Sequence, residues 1–219
     1  FDRLFRTHLR NVWTHMGIPP PDQLNVPICT RAIASESDSV QQPLVLLNPT
    51  IDGIVTDFFE WRGAGNINTQ PPLGAMWKAD GLFTAIQFGW TSNQLVMRFD
   101  PDEASTTRQG LDVDIRLQGP QFNFRLTFAL TSPGPEAFLL SRQTQADAWQ
   151  EIGSYRSIKT HTILELAVPW KELCLEQGNT IQMSIIVREH GLEVARYPGH
   201  HPAVLTVPGP EFEAELWRV

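Results

Sequence analysis

Seven tryptophans against two tyrosines give this chain its most suggestive chemistry. An indole is a flat apolar plate with one polar edge. Such a plate lies well against the C–H face of a pyranose while neighbouring polar groups bind the hydroxyls. Trp61, Trp77, Trp90 and Tyr197 are the candidate stacking residues. Asp80, Asn93 and Arg98 stand near in sequence as hydroxyl partners. Trp149 and Trp217 are further candidates among the tryptophans. Trp170, after Val168-Pro169 at a helix start, reads as structural. Trp90 shares its face with Ile86 and Phe88, at a core or its edge.

A reacting centre is harder to assemble. The chain has no G-x-S-x-G elbow, phosphate-binding loop, G-x-G-x-x-G turn or H-E-x-x-H helix. Asp112 and Asp114 share the polar side of one strand with Arg116, which reads as a solvated face. Asp52, Asp57 and Glu60 offer the oxygen ligands calcium takes, but at no recognised loop spacing. His200 and His201 are adjacent, and on an extended chain they point to opposite sides. His8 falls on an apolar stripe and reads as an interface residue. Cys29 and Cys174 read as buried thiols, their pairing left open. Two cysteines exclude a zinc ribbon or a multi-disulfide scaffold. No catalytic residue, metal or cofactor is assigned.

The elements that must position these groups follow from patterning. With 219 residues, 42% hydrophobic and 19% charged, the chain can bury a sizeable core. Its 24 acidic and 17 basic residues leave a formal charge of −7 and no basic run, which argues against a nucleic-acid partner. No run reaches the roughly 18 apolar residues that span a membrane. The reading of both cysteines as free thiols and the absence of an Asn-x-Ser/Thr acceptor with a permitted middle residue point to the cytoplasm. Phe1, Leu4, Phe5, His8, Leu9, Val12, Trp13 and Met16 predict one amphipathic helix over 1–16, stopped by Gly17 and Pro19-Pro20-Pro21. An extended Pro-rich arm and linker fill the rest of 1–43.

From Leu44 the texture changes to short alternating strands. Leu111, Val113, Ile115 and Leu117 form one run, and Phe122, Phe124, Leu126, Phe128 and Leu130 the next, with Gly119-Pro120 making them a hairpin. Further strands are expected at 82–90, 95–99, 137–141, 153–158, 162–168, 181–188, 192–197 and 212–217, with a short helix after Pro169. About ten strands without long intervening helices predict an all-β fold. The expected architecture is an antiparallel, jelly-roll-like β-sandwich over 44–219, preceded by the helix and arm.

Several segments also resemble a known family. Pro49-Thr50-Ile51-Asp52-Gly53, Phe58-Phe59-Glu60-Trp61, Gly63-Ala64-Gly65 and Gly74-Ala75-Met76 resemble the C-terminal region of glycoside hydrolase family 57 proteins, which are alpha-amylase/alpha-mannosidase-like. Phe1 to Leu9 and the ending from Arg196-Tyr197-Pro198 to Trp217 are similar too. The sandwich also resembles carbohydrate-binding module family 9 and DOMON-like domains, through Ile51-Asp52-Gly53, Asp112-Val113-Asp114-Ile115 and Glu165-Leu166-Ala167-Val168-Pro169-Trp170. Where that module carries two clamping tryptophans, this chain has Thr107-Arg108-Gln109-Gly110 and Tyr197, so the clamp does not carry over.

The resemblance implies a non-catalytic accessory domain that recognises an alpha-glucan or related carbohydrate, the catalytic carboxylates lying in an upstream barrel. The alternative is a structural domain that packs on the upstream catalytic domain of the same chain. A haem-binding module would need Met and His ligands, and the spacing of Met76, Met97 and Met183 carries no such signal.

Overall fold

The computed structural model describes residues 2–25, 40–57, 59–69, 81–103, 105, 108–130, 134–143, 148–199 and 201–212. The chain divides into two units, Phe1–Ser37 and Asp38–Val219.

In the first unit, helix α1 (Asp2–His15) forms where the three- and four-residue apolar spacing predicts it. A single 3-10 turn (Asp22–Asn25) folds back along it. Arg6 and Arg10 each donate to the Leu24 carbonyl at 3.2 Å, and Arg10 also donates to Asn25 Oδ1 at 3.1 Å. The arginines off the apolar stripe therefore hold the proline arm. Phe5, His8, Val12 and Met16 are exposed.

The second unit is an all-β sandwich. Its strands are β1 (Val40–Gln41), β2 (Gly65–Ile67), β3 (Phe83–Trp90), β4 (Gln94–Pro101), β5 (Leu111–Gln118), β6 (Asn123–Leu130), β7 (Phe138–Gln143), β8 (Trp149–Tyr155), β9 (Ile158–Thr160), β10 (Leu164–Pro169), β11 (Thr180–Glu189), β12 (Leu192–Tyr197) and β13 (Ala203–Thr206). The first sheet has the order β1-β2-β3-β4-β10-β9, and the second β12-β11-β5-β6-β7-β8, with β13 beside the start of β11. Every pair among these strands is antiparallel, and an isolated parallel bridge joins Leu46 to Trp90.

Period-two alternation sends Ile86, Phe88, Leu95, Met97, Phe99, Leu164 and Leu166 of the first sheet against Val113, Ile115, Leu126, Phe128, Ile185 and Val187 of the second. Phe99 meets Phe128 across the layers at 6.3 Å, and Phe83 meets Tyr197 at 5.8 Å. Each fully buried large apolar side chain contributes about 1.5–3 kcal/mol, so this core dominates the sandwich's stability.

The expected hairpin at Gly119-Pro120 is present, with Arg116 opposite Arg125 and Gln118 opposite Asn123. Trp170–Leu173 is a 3-10 turn after Pro169. Three features differ from expectation. The second unit starts before Leu44, because Val40 and Gln41 already pair with Ile67 and Asn66. The single run expected at 153–158 is divided between β8 and β9, which belong to different sheets. Cys174 is exposed, not buried, at a backbone position with φ 51°. Of the expected strand over 212–217, Phe212 is described and is not in a strand, while residues 213–217 and Cys29 lie outside the described residues.

The outer face of the first sheet is covered by the chain's own segment 44–64. Leu47 and Trp61 pack there on Val96 and Ala167, the residues of β4 and β10 that alternate with the core set. Leu47 N donates to the Trp90 carbonyl at 2.7 Å. Gly89 leaves the space Leu47 occupies, since a β-carbon at that position would collide with Leu47.

Candidate functional site

Three of the expected stacking residues turn out to be internal. Trp61 is 5% exposed, Trp90 1% and Tyr197 5%, so none has a ring face open to a sugar. Trp61 and Trp90 lie on opposite faces of the first sheet, one under the covering segment and one in the main core. Trp90 meets Trp170 edge-on at 6.0 Å. The Tyr197 hydroxyl accepts a hydrogen bond from Leu82 N at 3.2 Å, and burial pushes its pKa up. Arg98 is engaged by Asp100 through two bonds of 2.7 and 2.8 Å. Asn93 sits in the β3–β4 turn, where its carbonyl accepts from Trp170 N at 2.9 Å. Trp77 and Asp80 lie outside the described residues, as do His200 and Trp217. The described members of the expected set therefore line no common groove.

What gathers instead around Glu165 is the covering segment. Glu165 is fully buried on β10, facing outward beneath residues 50–61. Its Oε1 accepts from Trp61 Nε1 at 2.8 Å. Its Oε2 accepts from Gly53 N at 2.9 Å and Asp52 N at 3.2 Å. Burial raises the Glu165 pKa and outweighs these three donors, which favour the carboxylate. The Gly53 carbonyl in turn accepts from Thr162 N and Ile163 N. Gly53 has φ +80°, and a β-carbon there would stand 2.7 Å from His161 N. Glu60 accepts from Thr50 N at 2.7 Å and Thr56 Oγ1 at 3.1 Å, while Asp52 and Asp57 each accept a backbone N–H two residues on. The carboxylates considered for calcium are thus tied into their own loop. Among the described residues no three His, Cys, Asp or Glu side chains come together to hold a metal.

A different constellation occupies the outer face of the second sheet. Registration places Ser184 of β11, Arg116 of β5, Arg125 of β6 and Ser141 of β7 in one row across four strands. Glu151 of β8 follows opposite Ser141. Trp149 of β8 lies against Arg125, whose guanidinium carbon is 4.9 Å from the ring centroid. Two like charges directly opposite on neighbouring strands are unfavourable, by up to about 1 kcal/mol.

Of the nearby acids, Asp114 acts favourably on Arg116 but is shared with Arg188. Asp114 is buried, not solvated as expected, with Thr127 Oγ1 on one oxygen at 2.9 Å and Arg188 on the other. Glu193 is held by Arg196 through two bonds of 2.8 Å. Arg116 Nε and Arg125 Nε are buried and have no hydrogen-bond partner among the described residues. Burial lowers the Arg116 pKa, with Arg188, Arg196 and Arg125 adding and Asp114 opposing.

Part of this row is legible in the sequence. Arg116 and Arg125 each fall on the polar side of their strand's alternation, but their direct pairing comes from a four-residue connection, 119–122, that the Gly119-Pro120 pair alone does not specify. Trp149 is one of the further candidates among the tryptophans. Ser184 and Ser141 come from strands whose order around the sheet no local pattern reveals.

Among the described residues no helix is long and apolar enough to cross a membrane. No family model matches the chain, and no curated protein matches it.

Proposed function

We propose that the sandwich is a non-catalytic accessory module that recognises carbohydrate on the outer face of its second sheet. The observation that carries this reading is the register row Ser184, Arg116, Arg125 and Ser141 beside the half-buried ring of Trp149. It joins an aromatic plate to hydrogen-bonding groups fixed on a rigid sheet, which is what recognition of a polyhydroxyl ring requires. The family resemblance makes alpha-glucan the first ligand to try. The exposed thiol of Cys174 suits the reducing cytoplasm. Titration with maltooligosaccharides, followed by calorimetry and Trp fluorescence, tests it. Binding should weaken at least about tenfold in Trp149→Ala, the loss of one to two kcal/mol of aromatic contact. No response to any saccharide at millimolar concentration sinks the proposal.

A second reading is favoured by a separate observation. Leu44, Val45, Leu46, Ile54, Val55 and Phe59 are all exposed within one short segment of the first sheet's cover. A structural domain docking on an upstream catalytic domain would present such an apolar surface. On that reading the chain self-associates in sedimentation, and Val55→Glu makes it monomeric. A monomer at high concentration with Val55 intact argues against it.

A further inference from the structure

We infer that the ligand of the second sheet carries an oxyanion, a phosphate monoester or a carboxylate on the sugar, seated between Arg116 and Arg125. This rests on the reading of that face as a saccharide site and goes beyond it. The two guanidiniums stand in direct register. Arginine stays protonated, so the row keeps two positive charges under all ordinary conditions. Asp114 offsets part of this charge at Arg116 but is shared with Thr127 and Arg188, Glu193 is held by Arg196, and Glu151 stands beyond Ser141 at the end of the row. Each guanidinium also holds a buried Nε–H without an acceptor among the described residues.

An oxyanion supplies both missing terms. Its charge offsets the opposed cations, and its oxygens accept from both arginines in the planar geometry that guanidinium favours. Ser184 and Ser141 at the ends of the four-residue row offer hydroxyls to further oxygens. Trp149, already against Arg125, stands where the attached pyranose would extend. Glu151, next in the row, repels an anion displaced toward β8 and so favours the position between the arginines.

The test uses the whole 219-residue chain and four probes: maltotriose, glucose 6-phosphate, glucuronate and inorganic phosphate. Affinity is measured by calorimetry, and the Nε–H resonances of Arg116 and Arg125 are followed by NMR. Glucose 6-phosphate or glucuronate should bind at least about tenfold more tightly than maltotriose, as a charge-assisted hydrogen bond implies. The same probes should shift both Nε–H resonances. Arg116→Gln and Arg125→Gln should each lose that advantage, while Lys159→Gln, on the exposed edge of the first sheet, should keep it. Thermal melting of both arginine variants at or above the parent value shows that the loss is not unfolding. Which charged sugar binds more tightly separates phosphate from carboxylate.

Maltotriose binding as tightly as the charged sugars, unaffected by the arginine substitutions, overturns the inference and leaves the carbohydrate reading standing. Inorganic phosphate binding as well as the sugar phosphate, with the same arginine dependence, supports the anion site and removes the carbohydrate reading. No binding by any probe overturns both.

Discussion

Glu165 concentrates three donors from a distant part of the chain on one buried carboxylate. Removing it leaves Trp61 Nε1, Asp52 N and Gly53 N without their acceptor. Glu165→Ala should therefore cost about 3–5 kcal/mol, measured by urea denaturation. Its titration also has a sign. The folded pKa lies above the ordinary 4.5, so between these values the folded protein holds a proton that the unfolded chain releases. Stability falls as pH rises through that window. The melting temperature of Glu165→Gln should lack this component, and an unchanged pH profile would disprove the assignment. Both tyrosines are shifted the same way. The Tyr155 hydroxyl donates to Glu172 at 2.6 Å, a bond that pushes its pKa up to about 12, and burial raises that of Tyr197. Absorbance titration of the folded protein should show little phenolate at pH 10.

Among the elements, the described residues of the segment from Leu44 to Ala64 form a cover held at Leu47, Gly53 and Trp61. Gly53→Ala forces a side chain into the left-handed region and against the backbone of His161 and Thr160. It should destabilise by at least about 2 kcal/mol, read from denaturant midpoints. This segment also marks the limit of what patterning conveys. β5, β6, β11 and β12 are legible because their alternation specifies strand and face together. β1 and β2 are only two and three residues long, too short for a period to show. The bond from Trp61 to Glu165 spans 104 residues of sequence, and no local signal links the two. The indoles were therefore readable as chemistry but not as positions. Trp61 lost its exposed face to a carboxylate brought in from β10. On the second sheet the faces of Arg116 and Arg125 followed from alternation, while their serine neighbours depended on strand order alone.

For the whole molecule, the division after Ser37 assigns the main core entirely to residues beyond that point. A chain of residues 38–219 should keep its β-sheet circular dichroism and unfold cooperatively, and loss of that transition would show that the helical unit is needed for folding. The sandwich also treats its two broad sides differently. One is roofed by Leu47, Trp61 and the Gly53 turn, and the other carries the arginine row. Handedness of presentation follows from this: a molecule immobilised through Val55 should turn its charged side to the solution, whereas one fixed through Ala129 should hide it.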